Sequence, residues 1–257
     1  MTIYTGITAH RGNHAYYPEN TLPAFKAGLE LGVDWLELDV RRTVDGVLVV
    51  HHDPDTARTT GEQLVIAETA FERLRELDFS TVHRQRDGRL IGLSPCRMPK
   101  LEEVLHLARS YPGTRVSIQP KTGDVTETVQ LVRNCDMADR VGFNDIFVET
   151  LRDARQQMPD VPIFMDLRPG QWDLTPAINT ALMYDFHCIV FYWEDATPTA
   201  IDTVHRAGLQ TGVWTLNDLA VARRLKSWGI SRFYTDLPAR FLALAGRETE
   251  PPRNKRC

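Results

Sequence analysis

The amino-acid sequence predicts an α/β protein, a (β/α)8 TIM barrel with a small inserted subdomain after its first hairpin. Short apolar runs alternate with longer segments of helical period along the whole chain, the pattern of repeated β-α units around a parallel sheet. The chain's 257 residues match the ~250 that eight such units need. With 42% apolar and 25% charged residues, the composition excludes a disordered or fibrous chain.

Barrel strands are predicted at residues 6–9, 35–41, 115–119, 141–144, 162–166, 188–191, 210–214 and 233–235. Helical period fills 21–31, 101–110, 125–134, 147–158, 198–206 and 219–228 between them, several preceded by a Ser, Thr, Asn or Asp able to cap free N–H groups. Asp45-Gly46 lies between two alternating runs, 35–41 and 47–52, and reads as a hairpin turn. A connection this short cannot be a parallel crossover, which needs about a dozen residues. Centring the turn on Asp45-Gly46 sets Asp39 opposite His52 and Glu37 near Pro54, subject to a slip of one or two residues.

The segment 53–99 is too long for one connection, so residues 54–98 are assigned to the inserted subdomain, with a helix over 68–77 and a turn at Asp87-Gly88. Loops at strand C-termini converge on a barrel mouth, and the insertion is expected to fold over it and shape substrate access. The barrel domain then covers 1–246, and 247–257 is a flexible tail.

A net charge of −4 and a pI near 6.1 exclude a nucleic-acid binder held by phosphate neutralisation. Residues 1–12 lack a basic region followed by an apolar run, and nothing approaches ~20 consecutive apolar residues. Those features predict a cytoplasmic chain without stable membrane association. Cys96, Cys135, Cys188 and Cys257 show no CxxC spacing and read as free thiols in a reducing compartment.

Glu37 and Asp39 are two apart on a strand and share one face, in an otherwise apolar run of Trp35, Leu36, Leu38 and Val40. Two such acids inside a barrel are costly unless paired with cations or a metal, and hard oxygen ligands favour Mg²⁺ or Ca²⁺. The plainer reading pairs them with Arg41 or Arg42; their place at the C-terminal end of the strand favours a metal. His10-Arg11-Gly12 closes the first strand on the same rim, where Gly12 permits a sharp turn and Arg11 offers a phosphate fork. His10 and His52 then form a candidate acid and base.

His10-Arg11-Gly12, Pro18-Glu19-Asn20-Thr21, Glu37-Leu38-Asp39-Val40, Thr43, Asp45-Gly46, Val49-Val50-His51-His52-Asp53 and Arg58-Thr59-Thr60 together resemble the opening signature of the glycerophosphodiester phosphodiesterase family. The resemblance continues at Pro99-Lys100-Leu101-Glu102-Glu103, Val213-Trp214-Thr215-Leu216-Asn217 and Thr235-Asp236-Leu237-Pro238, across nearly the whole barrel. It implies a metal-dependent phosphodiesterase of lipid metabolism that releases an alcohol and glycerol 3-phosphate from a small glycerophosphodiester. It further implies one divalent cation held by Glu37 and Asp39, His10 and His52 as acid and base with Arg11 assisting, and Trp214 lining the pocket. In that family a neighbouring glycerol hydroxyl attacks phosphorus, giving a cyclic phosphate that water opens.

The chain departs from the family at Ser117-Ile118-Gln119-Pro120-Lys121, where Glu-x-Lys is usual. Gln119 offers a neutral amide oxygen as third metal ligand, which predicts weaker or water-mediated binding, and Lys121 remains a phosphate contact. Two alternatives follow from Gln119: the same chemistry on a sugar phosphodiester, or a non-catalytic phosphodiester-binding protein. The expected partner is a small-molecule phosphodiester, with assembly into a homo-oligomer left open. Asp166, Arg168, Tyr192, Trp193 and Glu194 are expected to face the mouth, Glu19 and Asn20 to pin the first loop, and Asp53 to orient His52. Asn217 and Asp236 read as structural, and His14, His51, His83, His106, His187 and His205 as ordinary residues without convergent partners.

Overall fold

Alternation along each strand decides what fills the barrel and what faces the helices. The computed structural model describes residues 5–80 and 95–247; His83, the Asp87-Gly88 turn, Cys257 and the tail beyond Arg247 lie outside the described residues. The strands are β1 (Gly6–Ala9), β2 (Trp35–Arg42), β3 (Leu48–Val50), β4 (Arg115–Pro120), β5 (Val141–Asp145), β6 (Ile163–Asp166), β7 (Cys188–Tyr192), β8 (Gln210–Trp214) and β9 (Arg232–Thr235). All but β3 pair in parallel, and β9 returns to β1, which also pairs with β2, so eight strands close the barrel.

Outward-facing Ile7, Leu36, Leu38, Val40, Val116 and Ile118 are buried in the main core beneath the helices. The helix Leu101–Arg109 shows why: Leu101, Val104, Leu105 and Ala108 form one buried stripe at helical spacing. Pro198–Arg206 forms with the bounds its period predicts, behind a Thr197 side chain that accepts from the Ala200 N–H. A further helix, Thr175–Met183, fills the interval between β6 and β7; it buries only Ala177 and Ala181, so its apolar period is weak.

Inside the barrel, Trp35, Phe164, Cys188, Val190 and Tyr234 form a separate buried cluster. Arg232 is fully buried beside it, its guanidinium carbon 3.7 Å from the Phe164 ring centroid, 4.6 Å from Trp35 and 4.7 Å from Tyr234. Three aromatic faces thus replace the water this cation gives up.

The hairpin register differs from expectation by one residue. Val40 pairs with Val50 and Arg42 with Leu48, so Asp39 lies opposite His51, whose N–H donates to the Asp39 carbonyl at 3.0 Å. The turn is a three-residue loop, Val44-Asp45-Gly46, closed by the Thr43 N–H on the Val47 carbonyl at 3.0 Å, with Gly46 left-handed at φ 81. In the insertion, the expected helix over 68–77 is instead a 3-10 turn at Ile66–Glu68 and a short helix at Phe71–Arg75, separated by an extended Thr69. Ile66, Phe71, Leu74, Leu77, Phe79, Cys96 and Met98 pack with Val49 of β3 as a small core of their own. Among the described residues, no helix is long and apolar enough to cross a membrane.

Candidate active site

The parallel strands deliver their C-terminal ends to one rim, and the end of β1 turns sharply there. Gly12 has φ 88, and a Cβ on it would sit 2.7 Å from the Ala24 backbone, so only glycine fits. Arg11 and Asn20 are also left-handed, at φ 54 and 56, a conformation unfavourable for side-chain-bearing residues and held here by the loop's contacts. Asn20 Nδ2 donates to Asp39 Oδ2 at 2.9 Å. Glu19 accepts from Arg11 at 2.8 Å and from both Arg58 Nη atoms at 2.7 and 2.6 Å, so the described part of the insertion is tied to the first loop.

Glu37 and Asp39 lie on the inner face of β2 with 2% and 0% of their surface exposed, which makes them acids without access to bulk water. The pairing with Arg41 and Arg42 that the plainer reading proposed does not form: Arg41 donates to the His52 carbonyl at 2.9 and 2.6 Å, and Arg42 pairs with Glu127 at 3.0 Å. The neighbouring cations are instead Arg11 Nε, 3.3 Å from Asp39 Oδ2, and Lys121 Nζ, 3.3 Å from Asp39 Oδ1. Burial pushes Asp39 upward, but Arg11 and Lys121 prevail and hold it well below the usual carboxylate range. Glu37 goes the other way, raised by burial and by the charge of Asp39. Its Oε2 accepts from the Arg11 N–H at 3.0 Å. Gln119 Oε1 accepts from Lys121 Nζ at 2.8 Å, which places all three predicted metal ligands around one lysine and one arginine.

His10 follows β1 and His52 follows β3, and the charge of Asp39 acts on both rings. His10 Nδ1 donates to Asp236 Oδ1 at 2.7 Å and His52 Nδ1 donates to Asp53 Oδ1 at 2.7 Å. Each carboxylate fixes the tautomer and leaves Nε2 for proton transfer. Both rings titrate below their ordinary value: burial followed by Arg11 for His10, and burial for His52 against the opposing charge of Asp39. His52 arrives because β3 ends at Val50 and the chain bends, while His51 is buried, edge-on to Phe79 at 5.6 Å, with Nε2 3.0 Å from the Asp55 carbonyl.

Two residues read as bystanders belong to this site. Asp236 holds His10 and also lies 3.3 Å from His14 Nδ1; its Oδ2 accepts from Asn217 at 2.8 Å. Burial would raise Asp236, but the hydrogen bonds from His10 and His14 outweigh it and drive the carboxyl far down. His14 therefore does have convergent partners, since its Nε2 is also 3.4 Å from Glu19. His10, His14 and Asp236 offer ligand atoms within 4.8 Å of one another. Barrel closure makes the contact: β9 pairs with β1, and the His10 N–H donates to the Thr235 carbonyl at 2.9 Å, which makes Asp236 its neighbour. Trp214 stands at the end of β8, its indole N–H donating to the Leu167 carbonyl at 3.3 Å and its ring edge-on to Tyr192 at 5.6 Å.

A closed parallel barrel with carboxylates, histidines and cations gathered at its C-terminal rim defines a hydrolase of the (β/α)8 class. The chain belongs to the glycerophosphoryl diester phosphodiesterase family, whose sequence model matches residues 10–240. It is 27% identical over 246 residues to a glycerophosphodiester phosphodiesterase of Caldanaerobacter subterraneus subsp. tengcongensis, covering 93% of this chain and 97% of the relative. It is 39% identical over 250 residues to the uncharacterized protein YqiK of Bacillus subtilis, covering 95% and 100% of the two chains. The crystal structure of a glycerophosphodiester phosphodiesterase from Agrobacterium tumefaciens superposes with a TM-score of 0.76 at 26% identity, covering 93% and 99%.

Proposed function

We propose that this chain hydrolyses a small glycerophosphodiester to an alcohol and glycerol 3-phosphate, with His10 and His52 as acid and base. The observation that carries the reading is the pair of imidazoles, each held through Nδ1 by a carboxylate at 2.7 Å and each within reach of the charge of buried Asp39. One imidazole Nε2 takes the proton from the glycerol hydroxyl beside phosphorus, while the other gives a proton to the departing alkoxide. The resulting cyclic phosphate is opened by water as the two rings exchange roles. Depressed ring pKa values keep a neutral base present at neutral pH.

Arg11 and Lys121 are positioned to contact the phosphoryl oxygens, and Trp214 to line the pocket beside them. A divalent cation, Mg²⁺ or Ca²⁺, fits Glu37 and Asp39: both are hard, buried oxygen donors, and Asp39 Oδ1 accepts no hydrogen bond, meeting the Lys121 ammonium at 3.3 Å. When bound, such a cation neutralises charge that builds on the phosphoryl oxygens. Gln119 would join as a neutral third ligand only by sharing the oxygen that Lys121 now occupies. The buried thiols Cys135 and Cys188 support a reducing, cytoplasmic setting.

The test is release of alcohol and phosphomonoester from glycerol and sugar phosphodiesters, with Mg²⁺, Ca²⁺ or chelator. His10→Ala and His52→Ala are each expected to lower turnover at least ~100-fold. Tight binding of a diester without turnover by the natural chain would instead favour the non-catalytic reading.

A further inference from the structure

A line of buried polar groups crosses the barrel and ends at Asp166. Arg232 Nη2 donates to Ser117 Oγ at 3.2 Å, Ser117 Oγ donates to Asn144 Oδ1 at 2.8 Å, and Asn144 Nδ2 donates to Asp166 Oδ2 at 3.1 Å. The guanidinium can only donate, so Ser117 Oγ accepts at that end and its own hydrogen goes on to Asn144 Oδ1. Ser117 and Arg232 are 0% exposed and Asn144 3%, whereas Asp166 keeps 8%, so the line opens at that carboxyl. Asp166 is the last residue of β6 and shares the inward face with Phe164, one step nearer the mouth. Its Oδ1 is buried with no hydrogen-bond partner.

A buried carboxyl oxygen without a partner is costly unless a ligand completes it. The surroundings specify that ligand. The Trp214 indole is fastened to the Leu167 carbonyl at 3.3 Å, directly after Asp166, and Tyr192 closes edge-on against it. Lys121, which touches Asp39, is also close enough for its charge to act on Asp166. Burial above all, with the charge of Asp145 adding, pushes Asp166 up to about 7 against the Asn144 hydrogen bond. The unpartnered Oδ1 calls for a hydrogen-bond donor: an alcohol hydroxyl supplies one, whereas a quaternary ammonium carries no N–H or O–H to give.

We infer that Asp166, held by Asn144, receives a hydroxyl of the leaving alcohol and makes the barrel selective for glycerophosphodiesters of polyols. This rests on the phosphodiesterase reading above and adds a substrate class to it.

The test compares kcat/KM for glycerophosphoglycerol, whose leaving alcohol carries free hydroxyls, with kcat/KM for glycerophosphocholine, whose leaving alcohol has none. The ratio of the two is independent of how much of a variant is folded. Asp166→Ala is expected to lower that ratio about 10- to 100-fold, the effect of one lost hydrogen bond to a buried polar group. Asp166→Asn, which still donates and accepts, is expected to restore most of it. An unchanged ratio in Asp166→Ala, whether both substrates fall together or neither falls, overturns the inference and leaves Asp166 as a scaffold residue. Cleavage of neither diester by the natural chain overturns the phosphodiesterase reading itself, before any variant is compared.

Discussion

Asp236→Asn tests whether a carboxylate far along the sequence sets the state of His10. The substitution keeps shape and removes one charge that meets His10 Nδ1 at 2.7 Å in a largely buried setting. The loss of one charge-assisted hydrogen bond costs ~1.5–3 kcal/mol, which sets a lower bound of about 10-fold in rate. An upper bound comes from the charge itself: at ~4 Å and an effective dielectric of about 20 it stabilises an imidazolium by ~4 kcal/mol, near 1000-fold. Turnover is therefore expected to fall between these limits, with KM changing less than kcat. The pH profile should move in a defined direction. Asp236 raises the His10 pKa by hydrogen bond and charge, so removing it lowers that pKa further, and the acidic limb set by His10 protonation moves to lower pH. Steady-state kinetics from pH 5 to 9 with thermal melts as control measure both effects. A variant within threefold of the natural chain, with an unmoved acidic limb, would refute the reasoning.

Gln119→Glu is expected to tighten Mg²⁺ or Ca²⁺ binding measured by titration calorimetry, since a full charge joins Glu37 and Asp39; unchanged affinity would place the ion elsewhere. Arg232→Ala empties the space between Trp35, Phe164 and Tyr234, and should cost ~3–5 kcal/mol in denaturant unfolding. A loss under ~1 kcal/mol would show that the cation adds nothing to the barrel's interior. His187 lies between Arg155 and the Ile163 N–H, which donates to its Nδ1 at 3.0 Å; burial first, then Arg155, pulls the ring down to about 4. Its folded pKa lies below the unfolded value near 6.5, so its contribution is present above that pH and is lost as pH falls through about 4. Unfolding midpoints should drop between pH 7 and pH 5, and His187→Asn should flatten that slope.

The strands were legible because a parallel barrel strand buries both faces, leaving near-continuous apolar runs such as Cys188–Tyr192. Glu37 and Asp39 stood out against such a run for the same reason. What the sequence concealed depends on closure and on loop geometry. Arg232 begins β9 one residue before the strand expected at 233–235, and only the closed barrel brings Trp35 and Phe164 around it. Asp236 meets His10 across 226 positions, a contact created by β9 returning to β1. His14 follows two successive left-handed residues, Arg11 and Gly12, and no strand or helix period predicts where such a loop sends its side chains. The hairpin register turned on whether the loop holds two residues or three, and Asp45-Gly46 is compatible with both.

Gln119 and Lys121 become intelligible together once the charges around Asp39 are considered as one set. Glu37 and Asp39 bring two negative charges when ionised, and Arg11 and Lys121 bring two positive ones within 3.3 Å of Asp39. A third carboxylate at residue 119 would hold a divalent cation more firmly, but it would also cancel part of the positive field an anionic diester encounters. With the amide, Lys121 is oriented by a neutral oxygen at 2.8 Å. On the proposed reading, Gln119 then exchanges metal affinity for attraction toward the diester. Gln119→Glu should therefore move two quantities in opposite directions: a tighter cation and a higher KM for the anionic substrate. A variant that binds the cation more tightly with unaltered KM would separate Lys121 from phosphate recognition.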